Sequence, residues 1–188
     1  VEYGPINMTI KAEAQGNPLI QAAVAGAMAA VNNLRALAQY RQVARLPVTA
    51  IREMEALPEV LQRMIRAARI TGAHDVTPMV AVAGAIAEMA AEVAVAAGAR
   101  TVIADNGGDI ALTVEPGRTI RVGVARDIIT RRIAFVIPVR AADGVGGICT
   151  SGLGGRSFTK GIATAAVAVG KSAAVADACA TVLANSTF

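Results

Sequence analysis

The sequence predicts an α+β domain in which helices pack on an antiparallel sheet, and three observations carry the prediction. Ile6, Met8, Ile10 and Ala12 alternate with more polar neighbours, the pattern of a half-buried strand. Long Ala-rich stretches then place apolar residues at helical spacing. Beyond Gly98 come short β-branched runs separated by turn residues, as in a series of strands. The 188 residues suit a single domain, 1–188, large enough to bury a substantial apolar interior. A strand-helix-sheet order occurs weakly in 1–75 and more fully in 76–188, which suggests duplicated halves.

The first strand ends near Gly16. Asn17 offers a capping side chain and Pro18 lacks an N–H that would go unused at a helix start, so a helix is predicted from there to about Gln39. Leu19, Ala23, Gly26, Ala30, Leu34 and Leu37 fall on one broad face of it. Pro47 and Pro58 punctuate the next region. Pro58 to Arg69 reads as an amphipathic helix with Val60, Leu61, Met64, Ile65 and Ala68 inward and Arg63, Arg66 and Arg69 facing outward or toward a ligand. Gly72 to Asp75 is a turn, and a long helix from about Met79 to Ala97 stops at Gly98. Strands are predicted over Thr101–Ala104, Ile110–Val114, Thr119–Val124 and Ile133–Val139, with Glu115 to Arg118 turning a hairpin between the second and third. Ala141 to Gly161 is glycine-dense loop with a brief strand at Ile148–Thr150. Ala165–Val169 is a further strand, and Ser172 caps a last helix to about Asn185.

Composition removes several function classes. Apolar residues make up 54% of the chain and aromatics 3%, so the interior is built from Ala, Val, Ile and Leu. A net charge of +4 and a pI near 9.6 invite nucleic acid, yet no Trp, two Tyr and three Phe leave little to stack on bases. An anionic small ligand fits better. Mean hydropathy is +0.51, but no apolar run of about 18 residues is uninterrupted. Val76 to Ala97 carries Glu88 and Glu92, and Gly161 to Ala184 carries Lys171 and Asp177, so both read as buried elements of a soluble protein and no membrane is expected. Only Cys149 and Cys179 are present, and no secretory signal opens the chain, so reduced thiols in the cytoplasm are expected. With His74 as the single histidine, a His-rich zinc site and a Ser-His-Asp triad are hard to build. Helices this rich in small residues would also suit a homo-oligomer.

Three separated segments carry the polar chemistry. Asn106-Gly107-Gly108-Asp109 lies between two strands, where paired glycines let backbone amides approach a ligand and Asp109 adds a carboxylate; the alternative is a tight turn bonded to itself. Its spacing is neither that of a P-loop nor that of a Rossmann turn. Cys149 to Phe158 packs hydroxyls, glycines and Arg156 into ten residues. Thr150, Ser151 and Gly152 could donate to phosphate with Arg156 as a forked cation, or the segment could be a plain surface loop. Cys149 has no cationic neighbour and reads as a small buried residue. Asp177 and Thr181 are four apart on an otherwise apolar helix, so their oxygens share a face. Hard oxygen donors of this kind suit Mg²⁺; alternatively Asp177 bonds a nearby amide and Thr181 its own helix backbone.

In this order the segments resemble the ApbE-like superfamily, whose best-known members are FAD:protein FMN transferases formerly described as thiamine-biosynthesis lipoproteins. The resemblance runs from about Val76 to Asn185. Val82 to Ala87 looks like the helical glycine motif, Asn106 to Asp109 like the Gly-Gly-Asp turn, Thr150-Ser151-Gly152 like the Ser-Gly loop, and Ala176-Asp177-Ala178 with Thr181 like the C-terminal metal motif. Similarity is closer to a branch with Thr-Pro-Met before the helical motif and Thr-Ser-Gly-Leu-Gly-Gly-Arg-Ser-Phe in the loop, as Thr77-Pro78-Met79 and Thr150 to Phe158 have here. The resemblance implies a tunnelling-fold-like α+β architecture and a flavin-nucleotide site for FAD. It implies Mg²⁺ held by Asp177 and Thr181, helped by a carbonyl near Gly84, with Asn106 to Asp109 and Thr150 to Gly152 along the nucleotide. In the transferases the FMN moiety passes to a Thr of an acceptor protein and AMP leaves. Two departures stand out: the Lys that precedes the helical glycine is Ala83 here, and Leu153 to Phe158 replace a His-containing strand.

Overall fold

The computed structural model describes residues 1–125, 132–153 and 159–188. The chain opens with β1 (Glu2–Tyr3), β2 (Ile6–Asn7), β3 (Thr9–Ala14) and β4 (Asn17–Pro18). Ala14 pairs with Asn17, and between them Gln15 and Gly16 hold φ values of 52° and 80°. Two successive positive values are what a two-residue type I′ hairpin turn requires. The predicted helix start at Asn17 is therefore corrected: the tight turn draws Asn17 and Pro18 into a ladder with β3. The helix α1 spans Ile20–Gln39, with Leu19 at its N-cap and no side-chain cap. The short α2 (Arg41–Ala44) follows, then α3 (Glu59–Ile70), which buries Val60, Leu61, Met64, Ile65 and Ala68 as its spacing predicts. The predicted Met79–Ala97 helix is divided into a 3-10 turn, Pro78–Ala81, and α4 (Val82–Ala96).

The second half contains β5 (Thr101–Asp105), β6 (Asp109–Thr113), β7 (Thr119–Ala125), β8 (Ile133–Arg140), β9 (Gly147–Ser151), β10 (Ala166–Gly170) and α5 (Ala173–Asn185). Six strands form one antiparallel sheet in the order β10-β9-β6-β5-β3-β4. The molecule is thus α+β, with helices packed on an antiparallel sheet. The predicted hairpin between 110–114 and 119–124 is not a ladder. Both edges of β6 are taken by β5 and β9, so the chain turns away at Glu115 to Arg118 and β7 pairs with β8.

Alternation along the strands sorts side chains onto two faces. Val102 and Ala104 of β5, Ala111 of β6 and Cys149 of β9 join α1, α3, α4 and α5 in the main core. Leu112 and Ile148 point the other way, into a smaller core closed by Val122 and Val139 of the β7–β8 hairpin. Asp109 shares the parity of Ala111 and pairs with Cys149, so it faces the helices. Small residues let those helices approach closely: a Cβ on Gly26 of α1 would stand 2.6 Å from Ala90 O of α4. By length and hydropathy the helical stretch Pro78–Ala96 could cross a membrane. Here it is wrapped by α1, α5 and the sheet, with Ala85, Ala87, Ala90 and Ala94 fully buried.

Candidate functional site

A cleft of about 940 Å³ opens where the β5–β6 turn, the end of β9, the start of α4 and the outer half of α5 meet. It lies within the range of pockets that hold cofactor-sized ligands. The structure brings Asn106, Gly107, Asp109, Thr150, Asp177 and Thr181 onto its wall. The remaining sequence-predicted residues lie beside it. Gly108 completes the turn, with φ 102° and its N–H donated to Asp105 Oδ1 at 2.9 Å. Ser151 lies buried beneath the wall, its Oγ 3.4 Å from Thr181 Oγ1. Gly152 is buried with φ 145°, and Thr164 O occupies the space a Cβ would need. Arg156, with the rest of 154–158, lies outside the described residues.

Each acid is placed by local structure. The N-cap position of α4 is Ala81, which offers no side-chain cap, so the first N–H groups of the helix need an acceptor. Asp177 supplies it from α5: Gly84 N donates to Asp177 Oδ2 at 2.9 Å. Only glycine allows this approach, because a Cβ at residue 84 would collide with Ala173 O and stand 2.7 Å from Asp177 Cβ. Asn106 Nδ2 donates to Ala83 O at 3.3 Å and so ties the glycine turn to the same helix start. Thr181 Oγ1 donates to Val80 O at 3.4 Å rather than to its own helix.

Among the described residues the floor of the cleft carries no cationic side chain. Burial pushes the Asp109 carboxyl up to about 7, and the nearby Asp105 charge adds to the rise, while the Cys149 thiol and the Thr150 N–H pull the other way. Asp109 Oδ1 is buried without a hydrogen-bond partner among the described residues. Asp177 is raised well above the usual carboxylate range, first by burial and then by the charge of Asp109, against the stabilising backbone bonds from Gly84 and Ala83. Burial and the charge of Asp109 also push the Cys149 thiol well up, so it is a small buried residue and a poor nucleophile. Among the described residues no three His, Cys, Asp or Glu side chains cluster as metal ligands. A cation here would draw on two carboxylates, the Thr181 hydroxyl and backbone carbonyls, a hard-oxygen donor set.

Sequence reasoning missed the flank of the cleft. Val76, Met79, Val80 and Val82 form an apolar wall, and Lys160 and Phe188 stand at the exposed rim. Thr159 and Lys160 are fastened by Asn185 Oδ1, which lies 3.2 Å from Thr159 Oγ1 and accepts from Lys160 N at 2.8 Å. Met79 and Val82 stand within the quoted Thr77-Pro78-Met79 and Val82–Ala87 segments, but as apolar residues they could not be told from core in the sequence. The Asn185 anchor depends on contacts across the loop. The three arginines of α3 do not serve the cleft: Arg63 pairs with Glu59, Glu88 and Glu92, Arg66 with Glu59, and Arg69 donates to Ile51 O.

The protein-family model described as AbpE bacteria matches residues 1–187, and the chain belongs to that family. It is similar to a UPF0280 protein of Methanopyrus kandleri, 42% identical over 154 residues that cover 78% of this chain and 59% of the relative. UPF0280 proteins of Methanosarcina acetivorans, at 41% over 70% of this chain and 50% of the relative, and of Archaeoglobus fulgidus, at 44% over 68% and 50%, are similar too. The chain spans about half the length of these curated relatives.

Proposed function

We propose that the cleft binds a flavin nucleotide, FAD, together with Mg²⁺. The observation that carries the reading is the convergence of two raised carboxylates, half-buried Asp109 and buried Asp177, in a cleft of dinucleotide size, with Asp109 Oδ1 orphaned among the described residues. Such a pair is costly until a cation neutralises it. Asp177 and Thr181 would hold Mg²⁺, with Asp109 facing it. Asn106, Gly107 and Thr150 would line the nucleotide, with Ser151 and Gly152 behind Thr150, and Arg156 would add a cation for its phosphates. The wall of Val76, Met79, Val80 and Val82 would take the ligand's apolar ring surface. A bound Mg²⁺ supplies charge stabilisation to a pyrophosphate. The ApbE-like resemblance, and a family description of kindred name, support FMN transfer as the reaction. In that reaction a Thr oxygen of an acceptor protein bonds to the FMN phosphorus, the pyrophosphate P–O bond breaks, and AMP leaves.

Calorimetric titration of Mg²⁺ and FAD into the wild type and Asp177→Ala tests the binding; equal affinity in both would sink the reading. AMP release from FAD in the presence of acceptor proteins tests the transfer. A second reading, a flavin or nucleotide binder without transferase activity, is favoured by Ala83, which places no cation beside Gly84. FAD binding with no AMP release would select it.

A further inference from the structure

α4 and the 3-10 turn before it meet α5 along a polar seam whose contacts run in opposite chain order, about one helical turn apart. Val80 O accepts from Thr181 Oγ1, and Gly84 N donates to Asp177 Oδ2. One turn further along α4, Glu88 Oε2 accepts from Ser172 Oγ at 2.7 Å and from Ala174 N at 2.9 Å. Ser172 caps α5 by accepting from Val175 N at 3.3 Å. A capping box would place Glu or Gln three residues after that Ser, but the position holds Val175, which has no acceptor. Glu88, from the neighbouring helix, instead brings a carboxylate to the first turn of α5, taking the Ala174 N–H and the Ser172 hydroxyl. Its other oxygen, Oε1, accepts from Arg63 Nη1 of α3 at 3.1 Å, so both oxygens of a side chain only 19% exposed are committed.

This hook has a reason to matter beyond capping. The buried apolar residues of α5 are Ala173, Ala174, Ala176, Ala178, Ala180 and Ala184, and Gly84 of α4 packs directly on Ala173. Side chains so short form shallow ridges and fix the axial register of two helices weakly. The polar contacts must fix it instead. Of these, only the Glu88 contact is paired with an arginine and lies away from the cleft wall. We propose that Glu88 is a positioning residue, locking the register of α5 against α4 so that Asp177 and Thr181 stand at the cleft floor. The proposal rests on the reading of those two residues as cation ligands.

Mn²⁺ uptake by the full chain, followed by electron paramagnetic resonance beside thermal unfolding, tests it with Glu88→Ala, the double variant Glu88→Ala/Ser172→Asp, and Glu92→Gln. Glu92 shares Arg63 but lies outside the seam. Glu88→Ala is expected to weaken Mn²⁺ affinity about tenfold or more, the scale of losses when residues behind metal ligands are removed. Ser172→Asp restores a carboxylate cap from within α5, so the double variant should regain thermal stability while Mn²⁺ stays weak. Glu92→Gln should match the wild type. Recovery of both properties in the double variant, or unchanged affinity in Glu88→Ala, would show that Glu88 is only a cap and overturn the proposal. If Glu88→Ala does not fold, Glu88→Gln keeps an acceptor oxygen and should show an intermediate loss, with no loss counting against the idea. Should the wild type take up no Mn²⁺, the metal reading fails by itself. The register is then read from hydrogen exchange at Gly84 N–H: faster exchange in Glu88→Ala that Ser172→Asp leaves uncorrected supports the lock, and unchanged exchange refutes it.

Discussion

Two sets of acids, Glu88 of α4 on one side and Asp109 of β6 with Asp177 of α5 on the other, lie around the same pair of helices and are treated in opposite ways. Glu88 comes with its cation: Arg63 is 3.1 Å away, and two donors from the start of α5 fill its other oxygen. Asp109 and Asp177 have backbone and thiol donors, but among the described residues they have no cation and one Asp109 oxygen has no partner. An acid serving the scaffold is neutralised within the chain. An acid left unneutralised in an open cleft raises the free energy of the empty protein, and a bound cation would recover that cost.

The comparison can be broken where the two sets meet. Gly84→Val forces a branched side chain into Ala173 O and Asp177 Cβ. It should cost about 3 kcal/mol or more in chemical denaturation, in the range of severe overpacking. Next in size, Arg63→Met leaves Glu88 half-buried without its cation. A loss of about 2 kcal/mol is expected, below the ~3–5 kcal/mol of fully buried pairs because solvent reaches both groups; a loss no larger than that of Glu92→Gln would show that Glu88 does not depend on its cation.

The cleft acids make the opposite prediction. Between pH 4 and 7 the folded state keeps a proton on Asp109 that the unfolded chain, at its ordinary value of 3.8, has lost. Metal-free stability should therefore fall as pH rises through that window and level off above it. Asp109→Asn should recover about 2 kcal/mol at pH 8 and little at pH 5 in denaturant melts with EDTA, a fraction of the full conversion because water enters the cleft. A variant no more stable than wild type at pH 8 would show that the carboxylate is not strained. The smallest effect is that of Glu92→Gln: with its side chain 55% exposed, it should change stability by less than about 0.5 kcal/mol.

Much of this was legible in the sequence where chemistry is local. α3 and α5 start within a residue of their predicted limits because Pro58 and Ser172 mark them. Asn106, Asp109, Thr150, Asp177 and Thr181 were legible as polar islands in an Ala-rich chain, and the cleft gathers them. What stayed hidden depends on partners far away. Gln15-Gly16 lacks the usual Asn-Gly or Asp-Gly signature of its turn, so Asn17 and Pro18 read as a helix start. β7 follows β6 after a short turn, and nothing local reveals that β9 has already claimed the edge of β6. Glu88 looks like a solvent-facing helix residue until Ser172 and Arg63 are placed around it.

The β7–β8 hairpin has a bearing on the order of assembly. Its pairing is between neighbours in the chain, whereas Asp109 meets Cys149 only after the whole hairpin has been spanned. Local ladders close sooner than distant ones, because bringing remote segments together carries the larger entropy cost. In refolding, protection of amides in β7 and β8 should precede protection in the β6–β9 pairing. The face of the sheet that carries no chemistry would be in place before the cleft exists, and the acids would come together last, on a surface already held from behind.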